Sequence, residues 1–197
     1  MTRKPQIYLA SRSPRRRELL SQIGIDYQLV DIEVDERLQS GELPLNYVQR
    51  LAADKAQAGL DASIGGSYLP VLAADTSVVV KGEVFGKPEN RDHGVWMLRQ
   101  LSGNVHQVYS AVALCAEAIE IRVSISQVIF RAMSEVEIQA YWDTGEPVDK
   151  AGGYGIQGVG AQFVKRLEGS YSGVMGLPLF ETAELLRHVG IEPVKPT

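Results

Sequence analysis

The chain's first chemically unusual segment is Ser11-Arg12-Ser13-Pro14-Arg15-Arg16-Arg17. Ser13 reads as a helix N-cap and Pro14 as the first helical residue, so three arginines occupy the opening turn. A helix N-terminus carries roughly half a positive charge and favours acids there. Three cations are unfavourable at that end unless an anion sits among the free N–H groups and guanidinium forks. Long arginines could instead splay into water at a cost of about a few tenths of a kcal/mol. The position directly after a short apolar run, residues 6–10, favours a phosphate site.

Other polar residues stand where apolar ones are expected. Lys55 falls seven residues after Val48, on the apolar stripe of its own helix. It either snorkels from the stripe's edge or points into a cleft. Asp75 ends the run Val71-Leu72-Ala73-Ala74 and precedes Thr76 and a second apolar run. A carboxylate there is either buried with a partner or placed at a strand end facing a site. Glu33, Asp35 and Glu36 form an acidic patch. It can be a solvated loop, or it can supply the paired carboxylates that Mg²⁺ needs when it bridges a polyphosphate. Gly152-Gly153-Tyr154-Gly155-Ile156-Gln157-Gly158 allows close backbone approach to a flat ligand, with Gln157 offering an amide donor–acceptor pair.

Gly86-Lys87-Pro88 lacks the spacing and the following Ser/Thr of a P-loop. His93, His106 and His188 show no zinc-ligand spacing. Cys115, the single cysteine, sits in an alternating apolar run, where it reads as a small strand hydrophobe; a lone thiol fits a reducing cytosol.

The elements that must position these residues alternate between helix and strand. Strands are expected at 6–10, 27–32, 70–74, a hairpin over 78–85 turning at Lys81-Gly82, two or more strands over 105–130, and one at 161–167. Helices are expected from Pro14 to about Ile23, from Pro44 to a stop at Gly59, over 91–101, from a capping box at Ser134 to near Gly145, and over 178–189. This interleaving specifies an α/β fold with a mixed sheet. At 197 residues, 45% hydrophobic and 22% charged, without repeats or linkers, the chain suits a single domain spanning 1–197. No apolar run approaches the about 20 residues of a membrane span, and the basic start is followed by too short an apolar run for a secretory signal. A net charge of −4 argues against coating nucleic acid. Anion binding must then come from a local cluster, which points to small phosphorylated ligands.

Taken together, the segments Leu9 to Arg16, Arg50 to Ala56, Ala73-Ala74-Asp75-Thr76, Gly86-Lys87-Pro88, Leu101-Ser102-Gly103 and Asp149 to Gly158 resemble the Maf family of nucleotide pyrophosphatases, over nearly the whole chain. Gly153 stands where the family usually has Ala. The resemblance implies an elongated mixed sheet with flanking helices and two lobes around a cleft, similar to inosine triphosphate pyrophosphatases. It implies a cytoplasmic homodimer acting on a nucleoside triphosphate with Mg²⁺ or Mn²⁺.

By position, Ser11, Arg15, Arg16, Lys55 and Lys87 would bind the triphosphate. Asp75 would be the general base or metal-positioning carboxylate, with Glu36 as a second acid at the metal. Thr76, Arg15 and Gln157 resemble the branch acting on dTTP and UTP. Hydrolysis between the α- and β-phosphates needs charge neutralisation, a metal and a positioned water, which a basic cluster opposite two carboxylates supplies. Two alternatives stay open: a non-catalytic nucleotide-binding regulator of cell division, and an enzyme for modified rather than canonical pyrimidine nucleotides.

Overall fold

The computed structural model describes residues 4–63 and 69–193; the basic start, Met1 to Arg3, lies outside the described residues. The chain runs β1 (Ile7–Leu9), α1 (Pro14–Gln22), β2 (Tyr27–Leu29), α2 (Pro44–Ala62), β3 (Val71–Val80), β4 (Glu83–Phe85), α3 (Arg91–Leu101), β5 (Val105–Cys115), β6 (Ile119–Phe130), α4 (Glu135–Asp143), β7 (Val164–Glu168), α5 (Tyr171–Met175) and α6 (Leu179–His188). Among the described residues, seven strands form one mixed sheet in the order β2-β1-β3-β5-β6-β7, with β4 also paired to β3. No described helix is long and apolar enough to cross a membrane.

The sheet forks at β3. One edge of β3 pairs with β5 from Val71 to Val79. The other edge pairs with β1 at Val71 and Leu72 and with β4 at Val78 to Val80. Ala10 donates its N–H to the Leu72 carbonyl at 2.9 Å before the chain turns away toward α1. Residues 73–77 therefore lie on an edge that neither β1 nor β4 covers, and the cleft opens there.

The period-2 pleat sorts β3 between two cores. Leu72, Ala74, Val78 and Val80 join the larger core with residues of α1, α3, α4 and α6. Val71 and Ala73 join a smaller core with Val48, Ala52 and Ala56 of α2. By the same alternation Asp75 belongs to the α2 face and Thr76 to the opposite one.

Four local expectations are corrected. Gly59 does not end α2; it lies inside the helix, where a Cβ would sit 2.6 Å from Val71 Cγ1 and 2.9 Å from Ala10 Cβ, so it lets helix and sheet approach. Asp75 is not at a strand end, because β3 runs on unbroken to Val80. The Ser13 side chain makes no cap hydrogen bond. Residues 161–163 belong to a 3₁₀ turn, Val159–Phe163, and not to a strand. The short helix α5, rich in Ser and Gly, was not legible from periodicity. The hairpin at Lys81-Gly82, the capping box at Ser134 and the buried setting of Cys115 are as expected.

Candidate active site

On the α2 face of the fork, three charged groups meet. The pleat aims Asp75 at α2, and Lys55, one turn beyond Leu51 on the buried stripe, reaches it with Nζ 2.8 Å from Asp75 Oδ1. Both residues are buried. The same Nζ lies 2.6 Å from Glu36 Oε1, on the loop before α2. Lys55 is thus drawn into the cleft and does not snorkel. Burial works to raise the Glu36 carboxyl, but the bond to Lys55 and the fields of Lys87 and Arg16 outweigh it and hold it below the ordinary range.

The acidic patch divides. Glu33 lies 3.8 Å from Arg12, Asp35 forks onto Arg37, and only Glu36 turns to the cleft. Tyr47, on α2, donates its hydroxyl to the Glu36 carbonyl at 2.8 Å. Burial, then the fields of Asp75 and Glu36, push that phenol up to about 12, so it stays a donor at neutral pH.

Two helix N-termini contrast sharply. On α4, Ser134 and Glu137 close a capping box and Glu135 and Glu137 fill the first turn, as the helix dipole favours. On α1 there is no acid in the first turn and no side-chain cap. Ser11 partly substitutes for the missing cap. Its Oγ accepts from Ser13 N–H at 3.2 Å and from Arg16 at 3.3 Å. Arg16 also donates Nε to the Gly176 carbonyl at 2.8 Å. Burial pushes the Arg16 guanidinium below its ordinary pKa while Asp75 pulls it back. Arg15 and Arg16 line the cleft and Arg17 does not. Arg12 borders the cleft but pairs with Asp31.

The far wall is the glycine-rich segment with Lys87. Exposed Lys87 and Gln157 sit at its rim. Glu146 shapes this wall, accepting from Tyr141 OH at 2.7 Å, Val159 N–H at 2.7 Å and Gly160 N–H at 3.0 Å. Lys150 donates to the Glu146 carbonyl and to Asp149, each at 2.7 Å. Gly153 has φ +68°, where a glycine is unstrained. Behind the wall, Tyr154 bonds the buried His106 Nε2 at 2.8 Å, and burial lowers His106 to about 4.

On the face of β3 opposite Asp75, Thr76 Oγ1 lies 3.0 Å from Ser110 Oγ, its cross-strand neighbour, and 3.4 Å from the Gly176 carbonyl. Ser110 donates to the Gly173 carbonyl at 2.6 Å.

The residues given site roles by the resemblance, Ser11, Arg15, Arg16, Glu36, Lys55, Asp75, Thr76, Lys87 and Gln157, line one cleft of about 910 Å³, a volume within the range of small-molecule sites, while Glu33 and Asp35 of the acidic patch lie outside it. Tyr47, Ser110, Glu146 and Lys150 were missed. Their signal is purely tertiary, since each acts through a partner remote in sequence or through a backbone atom. A shallower depression of about 550 Å³ beside Arg37, Arg50 and Asp54 holds charges largely paired with acidic neighbours.

The donor set fits a divalent ion only in company. Glu36 and Asp75 converge on one point, now spanned by Lys55, and Mg²⁺ is commonly held by one or two carboxylates plus phosphate oxygens. Among the described residues, no group of three or more His, Cys, Asp or Glu could hold a metal alone.

Known proteins resemble this chain along most of its length. A protein of Alkalilimnicola ehrlichii named dTTP/UTP pyrophosphatase is 53% identical over 192 residues, 96% of this chain and 95% of that one. One of the same name from Saccharophagus degradans is 54% identical over 182 residues, 91% of this chain and 87% of that one. A solved nucleoside-triphosphatase / dITP/XTP pyrophosphatase from Mycobacterium abscessus aligns with 93% of this chain and 94% of its own at 17% identity and a TM-score of 0.46. The family model described as Maf-like protein matches residues 6–189, and this chain therefore belongs to the Maf-like family.

Proposed function

We propose that this protein is a nucleoside triphosphate pyrophosphatase, hydrolysing dTTP and UTP to the nucleoside monophosphate and pyrophosphate. The observation that carries the reading is the meeting of Lys55, Asp75 and Glu36 at the fork of the sheet, opposite the arginine-rich N-terminus of α1. The names of relatives at about half identity support the same activity and bases.

Water attacks the α-phosphorus, Asp75 accepts its proton, and the bond to the bridging oxygen breaks to release pyrophosphate. The buried Lys55 holds Asp75 in place before substrate arrives and offers its ammonium to the phosphates afterwards. Ser11, Arg15, Arg16 and Lys87 surround the leaving pyrophosphate, where charge-assisted contacts formed in the transition state contribute most. Asp75 and Glu36 would hold a Mg²⁺ or Mn²⁺ ion, which would supply charge neutralisation along the polyphosphate. Gln157, exposed at the rim, is placed to accept from a pyrimidine N3–H while donating to a flanking carbonyl. The same reading carries a cytoplasmic homodimer acting on free nucleotides, and the net charge of −4 supports a small anionic substrate over nucleic acid.

The test is pyrophosphate release over a panel of canonical and modified triphosphates with Mg²⁺ or Mn²⁺. Turnover of dTTP and UTP that stops with chelator and returns with metal is expected. Tight binding without turnover would favour the cell-division regulator, and preference for a modified base would move the substrate. Full activity in excess chelator would remove the metal.

A further inference from the structure

The hydroxyls behind the cleft have too few protons to be interchangeable. Ser110 is buried, at 1% exposure, and carries one proton. Its Oγ lies 2.6 Å from the Gly173 carbonyl, which can only accept, so the proton is committed there. In its 3.0 Å contact with Thr76, Ser110 must then be the acceptor. Thr76 also has one proton, and its two protein partners, Ser110 Oγ and the Gly176 carbonyl at 3.4 Å, both accept. Whichever takes it, that proton is spent inside the protein. Thr76 borders the cleft with lone pairs only.

We infer that Ser110 is a positioning residue which makes Thr76 an obligate hydrogen-bond acceptor toward the cleft, so the nucleotide group seated there is an N–H or O–H donor. The inference rests on the cleft being the nucleotide site. Phosphate oxygens are acceptors and find no donor at Thr76 Oγ1 itself, although Arg16 bonds the same Gly176 carbonyl nearby. On a pyrimidine nucleotide the donors are a sugar hydroxyl and the imide N3–H of uracil or thymine, and in the second case Thr76 takes the acceptor role that the functional reading gives Gln157. Cytosine N3 is an acceptor and would meet Thr76 lone pair to lone pair.

The experiment measures kcat/KM for two substrate pairs, UTP with CTP and dTTP with its 3′-deoxy analogue, in wild type, Ser110→Ala, Thr76→Val and Thr76→Ser. Ser110→Ala leaves the Thr76 proton only the long 3.4 Å contact to the Gly176 carbonyl, so it can turn into the cleft. Where the donor is the base N3–H, the preference for UTP over CTP is expected to fall at least fivefold through a gain on CTP, with UTP itself changed less than about threefold. The pair whose ratio Thr76→Val collapses identifies the donor as base or sugar. Thr76→Ser should keep that ratio, a comparison that stands even where Ser110→Ala lowers the melting temperature. A wild type that releases pyrophosphate from UTP while every variant keeps both ratios overturns the inference and leaves the activity intact. Equal loss on all substrates would likewise reduce Ser110 to a packing residue. Absence of wild-type turnover on every substrate would instead fail the functional reading itself.

Discussion

Asp75 and Thr76 are neighbours in sequence, yet the pleat of β3 sends them into different chemistry. On the α2 face, Asp75, Lys55 and Glu36 form a charged cluster with contacts of 2.6 and 2.8 Å. On the other face, once Arg16 has reached across from α1, Thr76, Ser110 and two backbone carbonyls form a neutral set linked by hydroxyl protons. Behind that set His106 is buried and kept neutral. One strand edge, left bare where the sheet forks, thus carries a charged cluster on one side and a neutral hydroxyl set on the other. The comparison teaches that the two faces should fail differently: charge changes should cost rate, and changes on the neutral side should cost selectivity or stability.

The largest effect is expected from Asp75→Asn, which keeps the volume and removes the base. Turnover should fall by about 10³-fold or more while nucleotide affinity, read by calorimetry, stays within about tenfold. Near wild-type turnover would return Asp75 to a structural role as partner of Lys55.

Next come the cations. Lys55→Ala and Arg16→Ala should each lower kcat/KM by about 10²-fold, because each removes a partly or wholly buried charge from the cleft. Arg17→Ala, one position on but outside the cleft, should stay within about threefold on the same scale. Equal losses at all three would mean diffuse attraction and dissolve the distinction between the faces.

The smallest effect concerns the neutral side and is a matter of stability. His106 titrates near 6.5 when unfolded and is lowered to about 4 by burial in the fold. Between those values the unfolded chain binds more protons, so stability rises with pH. It is fully present above about pH 6.5 and lost as pH falls toward about 4, by up to roughly 3 kcal/mol at 1.36 kcal/mol per unit. Melting temperature measured from pH 7 to 4 should therefore drop less steeply for His106→Gln than for wild type. Parallel curves would assign the acid loss to other groups.

Much of this was legible in the sequence because it depends on local rules. The wrong charges at the start of α1 pointed to an anion, the stripe position of Lys55 marked it as unusual while leaving snorkelling open, and caps and glycines bounded α3 and α4 closely. The bare edge of β3 was not legible. It depends on β1 and β4 sharing one side of a strand while leaving residues 73–77 between them, a fact of pairing across distant segments. For that reason the strand was expected to stop at Ala74, and Asp75 stayed open between a buried paired carboxylate, which it is, and a strand end. Gly59 read as a stop because a helix-ending glycine and a close-packing one look alike until Val71 and Ala10 are brought against it. Ser110 and Tyr47 read as ordinary strand and helix residues, since their roles lie in one hydrogen bond each to atoms far along the chain.

The most direct measurement of the central claim is UTP hydrolysis in ¹⁸O-labelled water with Mg²⁺, followed by mass analysis of both products. Attack on the α-phosphorus by water activated at Asp75 predicts UMP carrying one ¹⁸O and unlabelled pyrophosphate. Label in pyrophosphate, or release of UDP and phosphate, would contradict it.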